Sequence, residues 1–368
     1  MGSLSLPPHA ITRRKLAALL ASIPILGACV TTGGVSDYYA GPVSDHFDGA
    51  RFFNPGGEPP RPFTQFLRWQ LTETRTAWPE AFPSPFPQDV PPDRVLGSAL
   101  RISFVGHATF LIQGAGLNII TDPVFSDRAS PFGFTGPKRV NAPGIDFTKL
   151  PKIDVVLLSH AHYDHMDVET LRRLWERDRP RILAPLGNDV ILRGHHPGMV
   201  VETMDWHEQR DLGMGVTTTL EAVHHWSARG VFDRNHALWG GFVLKGIGDG
   251  IFFAGDTGFD QGRPFRRIAQ RHPGLGMALL PIGAYEPRWF MQAQHMNPDD
   301  AVQGFELLGS RQALGYHWGT FNLTNEGVDS APADLAQALA AKGVDPARFV
   351  AALPGLVWTN GVWTNRAA

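Results

Sequence analysis

The sequence predicts a mixed α/β protein in which two sheets pack together and helices lie outside them. Three observations predict it. From residue 99 onward, short apolar runs of strand length are separated by Gly, Asp and Pro turns. Strands come first and then alternate with helical patterns, and this course is run twice. The chain has 368 residues, 43% of them hydrophobic and 18% charged, with a single Cys; it is long and apolar enough to bury a sizeable core and is neither collagen-like, disordered nor disulfide-stapled.

The strand-like runs at 100–105, 109–113 and 118–121 read as a β-meander, and 153–159 as a buried apolar strand. Helical spacing of apolar residues marks about 168–177, 261–271, 298–308 and 331–342. Between these lie strand candidates at 181–184, 216–223, 238–245, 251–254, 277–281, 313–316 and 349–352.

Ahead of this domain (99–368) the composition changes twice. Residues 1–28 carry Arg13, Arg14 and Lys15, no acid, and an apolar run shorter than the about twenty residues that span a bilayer, as in a signal peptide. The run ends Leu26-Gly27-Ala28-Cys29, which resembles a bacterial lipobox. That resemblance implies that Cys29 is lipidated as the first mature residue; the alternative is an uncleaved anchor with a chance Cys. Loss of the leader takes the formal charge from −2 to −5, which argues against nucleic acid as a partner. Residues 29–50 read as a tether. Residues 51–98 form a Pro- and aromatic-rich arm: ten prolines between 55 and 92 forbid long regular structure except for a helical stripe at about 63–76. Its aromatics either pack on the domain or line an acyl-chain groove.

The chemistry is concentrated in Ser159-His160-Ala161-His162-Tyr163-Asp164-His165, directly after the buried strand. Where an extended backbone leaves a strand, residues two apart point the same way, so His160 and His162 can grip one ion while the turn offers Asp164 and His165 to a second position. With fifteen His and one Cys, nitrogen and oxygen are the available ligands. Further ligands follow later strands: one of His224 and His225, then Asp256 in Ala254-Gly255-Asp256-Thr257-Gly258, then His317 in Gly315-Tyr316-His317-Trp318-Gly319.

The HxHxDH loop with these downstream groups resembles the metallo-β-lactamase superfamily. The resemblance implies an αββα four-layer sandwich holding two Zn2+ per chain. It assigns His160, His162 and His225 to the first ion, Asp164, His165 and His317 to the second, and Asp256 to both. One branch, the N-acyl-phosphatidylethanolamine-hydrolysing phospholipases D, is similar over about residues 50–350. The matching segments include Val105-Gly106-His107-Ala108-Thr109, Thr121-Asp122-Pro123, Gly136-Pro137-Lys138-Arg139, the run from Pro281 to Met291, and Gln294-His295. The His225-Trp226 pairing matches that branch and favours His225 over His224.

By that resemblance the chain hydrolyses a phospholipid phosphodiester with a metal-bridging hydroxide. Asp164, Asp256 and His295 are its catalytic groups, and Tyr163 and His295 contact the substrate. The lipobox places the protein in the bacterial cell envelope, lipid-anchored to the membrane and facing the periplasm. Alternatives of the same ligand set are a lactonase or other ester hydrolase, and an envelope lipoprotein with a structural metal site. His107 and Asp122 read as supports of the ligands or of their loops, Glu286–Arg288 as an internal ion pair, and Lys138-Arg139 as a solvated turn.

Overall fold

The computed structural model describes residues 38–59, 61–230 and 232–364; the leader, Cys29 and the first part of the tether lie outside them. The strands of the first half are β1 (Leu100–Gly106), β2 (Thr109–Gly114), β3 (Leu117–Thr121), β4 (Val155–Leu157), β5 (Arg181–Pro185) and β6 (Val201–Met204). Those of the second are β7 (Gln209–Gly213), β8 (Val216–Glu221), β9 (Gly241–Lys245), β10 (Ile251–Phe253), β11 (Met277–Pro281), β12 (Gln312–Tyr316) and β13 (Phe349–Ala351). The chain closes with the hairpin β14 (Val357–Thr359) and β15 (Val362–Thr364).

Two sheets result. One runs β15-β14-β1-β2-β3-β4-β5-β6 and the other β13-β12-β11-β10-β9-β8-β7. Each begins antiparallel, as in β1–β2 and β8–β9, and continues parallel, as in β3–β4–β5 and β10–β11–β12. The first sheet shows why strands buried on both faces read as unbroken apolar runs. Ile119, Val155 and Leu157 enter the core between the sheets, while their neighbours Ile120, Val156 and Leu158 enter a second core under the outer helices. Burying each such side chain contributes roughly 1.5–3 kcal/mol, so a one-residue slip would expose a whole row.

The helices are α1 (Phe63–Thr72), α2 (Val168–Asp178), α3 (Asn188–His195), α4 (Arg263–Arg271), α5 (Arg288–Met291), α6 (Pro298–Leu308) and α7 (Ser330–Lys342). α2 starts where the Asp167 carboxylate accepts from the Glu169 and Thr170 N–H groups. It buries Leu171, Leu174 and Trp175 in the outer core. α6 starts with a capping box between Asn297 and Asp300.

Several boundaries differ from the sequence reading. The strand at 153–159 keeps only Val155–Leu157, and 238–240 precede β9 rather than belong to it. α3, α5, β6, β7, β14 and β15 are elements the sequence reading does not contain. Residues 38–50 are not a free tether: Phe47 is about 1% exposed and joins the main core beside Phe52 of the arm. There the His46 ring lies 2.6 Å from Asp45 Oδ1 and 2.8 Å from Asp205 Oδ1, stacked on Trp206. The arm also docks, with Trp78 Nε1 donating to the Glu326 carbonyl and Phe82 and Phe86 packed on the core.

Candidate metal centre

Every candidate ligand leaves the same edge of the sandwich. From the first sheet come His107 after β1, Asp122 after β3 and the 158–167 loop after β4. From the second come His225 after β8, Asp256 after β10, His295 between β11 and α6, and His317 after β12. Short parallel strands ending in loops at one edge place these side chains together. The β4 loop turns tightly because His165 N and Met166 N both donate to the His162 carbonyl, at 3.1 and 2.8 Å. His107, Asp122 and His317 hold positive φ of 56, 30 and 69°, a conformation that non-glycine residues adopt at a cost and that clusters at functional sites.

Two groups of ligand atoms form. In one, His160, His162, His225 and Asp256 each bring an atom within 4.8 Å of the others; in another, Asp164, His165 and His317 meet His107 in the same way. Asp256 joins them. Its Oδ2 lies 3.2 Å from His317 Nε2, 3.3 Å from His165 Nε2, and 3.9 Å from both His160 and His225 Nε2. His317 Nε2 is also 3.3 Å from Asp164 Oδ2.

Tautomers follow from the outer partners. His225 Nδ1 is 2.9 Å from the Gln294 carbonyl, which only accepts, so Nδ1 carries the proton and the Nε2 lone pair faces inward. His165 Nδ1 likewise donates to Asp122 Oδ2 at 2.7 Å, while Asp122 also accepts from Ser159 N and Oγ. The inward atoms are left without hydrogen-bond partners: His162 Nε2, His225 Nε2, His295 Nδ1 and Asp256 Oδ1 are all buried orphans. Two further ring nitrogens, His160 Nε2 and His162 Nδ1, sit 2.8 Å apart. Buried polar atoms this numerous and unpaired are costly, and a donor set of imidazole lone pairs and carboxylates is what divalent transition ions take. The residues fit a metal group.

Burial sets the charge of the first group. It pushes His162 and His225 down to about 3 and His160 well below its ordinary value, so all are neutral ligands at pH 7. In the second group burial also wins at His107, which is held at about 3, but at the other two rings the carboxylates outweigh it: beside Asp256 and Asp164, His317 rises to about 9 and His165 well above its usual range. Asp164 and Asp256 are opposed by burial, yet the surrounding imidazoles hold both well below the carboxylate range.

Over these groups opens a cleft of about 430 Å³. Its floor includes His162, Asp164, Asp256, His295 and His317, and one wall is Phe66 and Trp69 of α1 with Phe290 and Met291 of α5. Trp69 and Phe290 stack at 5.2 Å. Of the two readings of the arm aromatics, packing therefore describes most of them, whereas Phe66 and Trp69 line a groove. The opposite wall holds Trp226 and Arg234.

His224 turns out of the cluster to Asp260, with Nδ1 to Oδ2 3.2 Å, leaving His225 as the member of that pair that faces the site. His295 does reach the cleft, with Nδ1 3.8 Å from Asp256 Oδ2. Tyr163 does not line it; its ring lies under the Arg229 guanidinium at 3.8 Å. His107 Nε2 bonds Asp164 Oδ2 at 2.9 Å. Two expectations are corrected. Arg288 pairs with Asp300 at 2.7 Å and donates to the His295 carbonyl, while Glu286 accepts from the Arg288 backbone N–H instead of forming the ion pair. Arg139 is buried, bonded to the Val124 carbonyl and set over Phe321, whereas Lys138 alone is solvated.

Sequence reasoning missed the carbonyl of Gln294, the hydroxyl of Ser159 and Arg229, which donates to the Ala161 and Met166 carbonyls at both ends of the ligand loop. A backbone carbonyl leaves no sequence signal. Ser159 was visible as the residue preceding the motif.

The chain belongs to the β-lactamase superfamily: the model of the Beta-lactamase superfamily domain matches residues 117–318, more than half of the sequence. It is 35% identical over 272 residues to N-acyl-phosphatidylethanolamine-hydrolyzing phospholipase D 1 of Caenorhabditis elegans, covering 71% of this chain and 76% of that one. It is 37% identical over 220 residues to the mitochondrial N-acyl-phosphatidylethanolamine-hydrolyzing phospholipase D of Saccharomyces cerevisiae, covering 57% and 46%. Among solved structures, a metallo hydrolase of Ignicoccus hospitalis shares the fold with a TM-score of 0.53 and 19% identity, over 71% of this chain and 98% of the other. The chain is thus a metal-dependent hydrolase of this superfamily, with the two-sheet architecture expected from its sequence.

Proposed function

We propose that the protein is a dinuclear zinc phosphodiesterase that cleaves N-acyl-phosphatidylethanolamine-like phospholipids in the manner of a phospholipase D. The observation that carries this reading is a single cleft whose floor is a metal-grade cluster and whose wall is aromatic and apolar. A polar reacting group and a lipid chain can occupy it together. The names of the nematode and yeast relatives point to the same substrate class.

His160, His162 and His225 would hold one ion, Asp164, His165 and His317 the other, and Asp256 both. Two bound zinc ions supply a hydroxide at neutral pH and offset negative charge on the phosphate. The chain's own residues do the rest. The Asp122 carboxylate and the Gln294 carbonyl take the outer N–H of His165 and His225 and so lock ring orientation and tautomer. His107 holds Asp164 in register. His295, neutral because burial pushes it to about 3, stands where it can hydrogen-bond a substrate oxygen. Phe66, Trp69, Phe290 and Met291 seat the acyl chain and exclude water. Water adds to phosphorus, the bond to the ethanolamine oxygen breaks, and that oxygen leaves protonated as N-acylethanolamine, with phosphatidate as the other product.

Attachment to the periplasmic side of a bacterial membrane through Cys29 belongs to the same proposal, since it keeps the enzyme beside its substrate. Among the described residues no helix is long and apolar enough to cross a membrane. The test is release of N-acylethanolamine from N-acyl-phosphatidylethanolamine by the zinc-loaded protein, against His160→Ala, with metal content measured on the same sample and a lactone panel in parallel. Zinc-dependent release lost in the variant supports the reading. Turnover of lactones with none of any phospholipid overturns it.

A further inference from the structure

We propose that Arg234 is the residue that selects an anionic phosphodiester over neutral esters and lactones; the inference rests on the phosphodiesterase reading of the cleft and names what makes it selective. Arg234 is the one Lys or Arg among the described residues lining the cleft. Its guanidinium lies 4.4 Å over the Trp226 ring, and Trp226 meets the His162 ring edge-on at 4.5 Å. A fixed cation therefore stands beside the first ligand group.

The bonding of this arginine is unlike that of its neighbours. Arg288 is paired with Asp300 and Arg263 with Asp260. Arg229, in the same loop, is not part of the cleft lining and turns its Nη1 to the Ala161 and Met166 carbonyls. Arg234 has no ion-pair partner among the described residues. Its Nη1 donates to the Arg61 carbonyl at 2.8 Å, which ties the side chain to the arm, and among the described residues Nε and Nη2 have no acceptor. A half-buried guanidinium with two open donors, held flat against an indole, is preorganised for an anion.

The selectivity follows from charge. Divalent ions polarise any ester oxygen, neutral or charged, so the ligand cluster by itself does not exclude a lactone. A phosphodiester brings a full negative charge that a lactone lacks, and only Arg234 adds a fixed positive side chain to the cleft wall. The carboxylates Asp164 and Asp256 on the floor are already engaged by imidazoles, which leaves the guanidinium unquenched.

The test uses the zinc-loaded full chain with Arg234→Gln and Arg234→Lys. Measured quantities are kcat and KM on N-acyl-phosphatidylethanolamine in mixed micelles, kcat/KM on a neutral p-nitrophenyl ester, the calorimetric Kd for inorganic phosphate, and metal content. Expected for Arg234→Gln is a rise of about tenfold or more in both the phospholipid KM and the phosphate Kd, with kcat, ester turnover and zinc content little changed and Arg234→Lys intermediate. If phosphate binding weakens in this way but the wild type cleaves no phosphodiester, the proposed function falls while the anion assignment stands. If neither KM nor Kd moves, or if zinc content and ester turnover fall with them, Arg234 is structural and the inference is wrong.

Discussion

The two halves of the ligand cluster lie side by side at the same depth, yet they settle in opposite charge states. His160, His162 and His225 have one carboxylate near them, Asp256, with Oδ2 3.9 Å from both His160 and His225. Burial wins there and the rings stay neutral. His165 and His317 have Asp256 within 3.3 Å, and Asp164 and Asp122 close by; the same burial is outweighed and the rings hold protons. His107, bonded to Asp164 alone, stays at about 3, so it is the joint pull of two or more acids that turns a buried imidazole into a cation. The first half is therefore ready for an ion, whereas the second must give up protons to receive one.

This contrast can be broken most forcefully at Asp256, the group common to both halves. Asp256→Ala should empty both and reduce turnover to background, whereas His160→Ala or His165→Ala should lower zinc content chiefly in its own half, read by metal analysis of each purified variant. Equal loss from every variant would mean that the halves are not separable. Next in size, Asp122→Asn leaves His225 untouched but removes the carboxylate that orients His165. About a 10–100-fold weakening of the second ion alone is expected, measured by competition with a chromophoric chelator.

Proton displacement gives a further separation. With His317 near 9 in the metal-free protein, binding in the second half releases its proton at neutral pH. With His165 protonated as well, affinity there should rise by up to about tenfold per pH unit for each proton displaced from pH 7 towards 9, and less steeply above it. In the first half, with His162 and His225 near 3, affinity should stay flat over the same range. Parallel slopes for the two ions would contradict the assignment. The smallest effect concerns the arm. Asn54 Nδ2 donates to the His225 carbonyl at 2.8 Å, so Asn54→Ala should cost about 1 kcal/mol, a several-fold loss of affinity confined to the first ion.

Legibility in the sequence followed distance along the chain. The four ligand-type residues from His160 to His165 fall within six positions and follow an apolar run, so their meeting is a local matter of strand end and turn. His225, Asp256 and His317 each follow a different strand, far apart in the chain, and only the family resemblance joined them. The choice between His224 and His225 depended on where Asp260, the partner of His224, would be, 36 residues on. The pairing of Arg288 with Asp300 was hidden because both were near plausible closer partners. Strands of three residues such as β14 and β15 carry too little pattern to stand out, although Asn360-Gly361 between them, both at positive φ, is a hairpin signal that could have found them. The docking of 38–50 was illegible because its hold is a few residues, Phe47 and His46 above all, in a polar stretch.

The ligands are divided between the two sheets, and this has a consequence for assembly. His160, His162, Asp164 and His165 follow a strand of one sheet, while His225, Asp256 and His317 follow strands of the other. No ion can be gripped by a complete set until the sheets have docked, and once it is gripped it rivets them together. Metal uptake is then a report on finished folding. A chain misfolded in either half would be inactive and, lacking its fastening, also the first to be cleared.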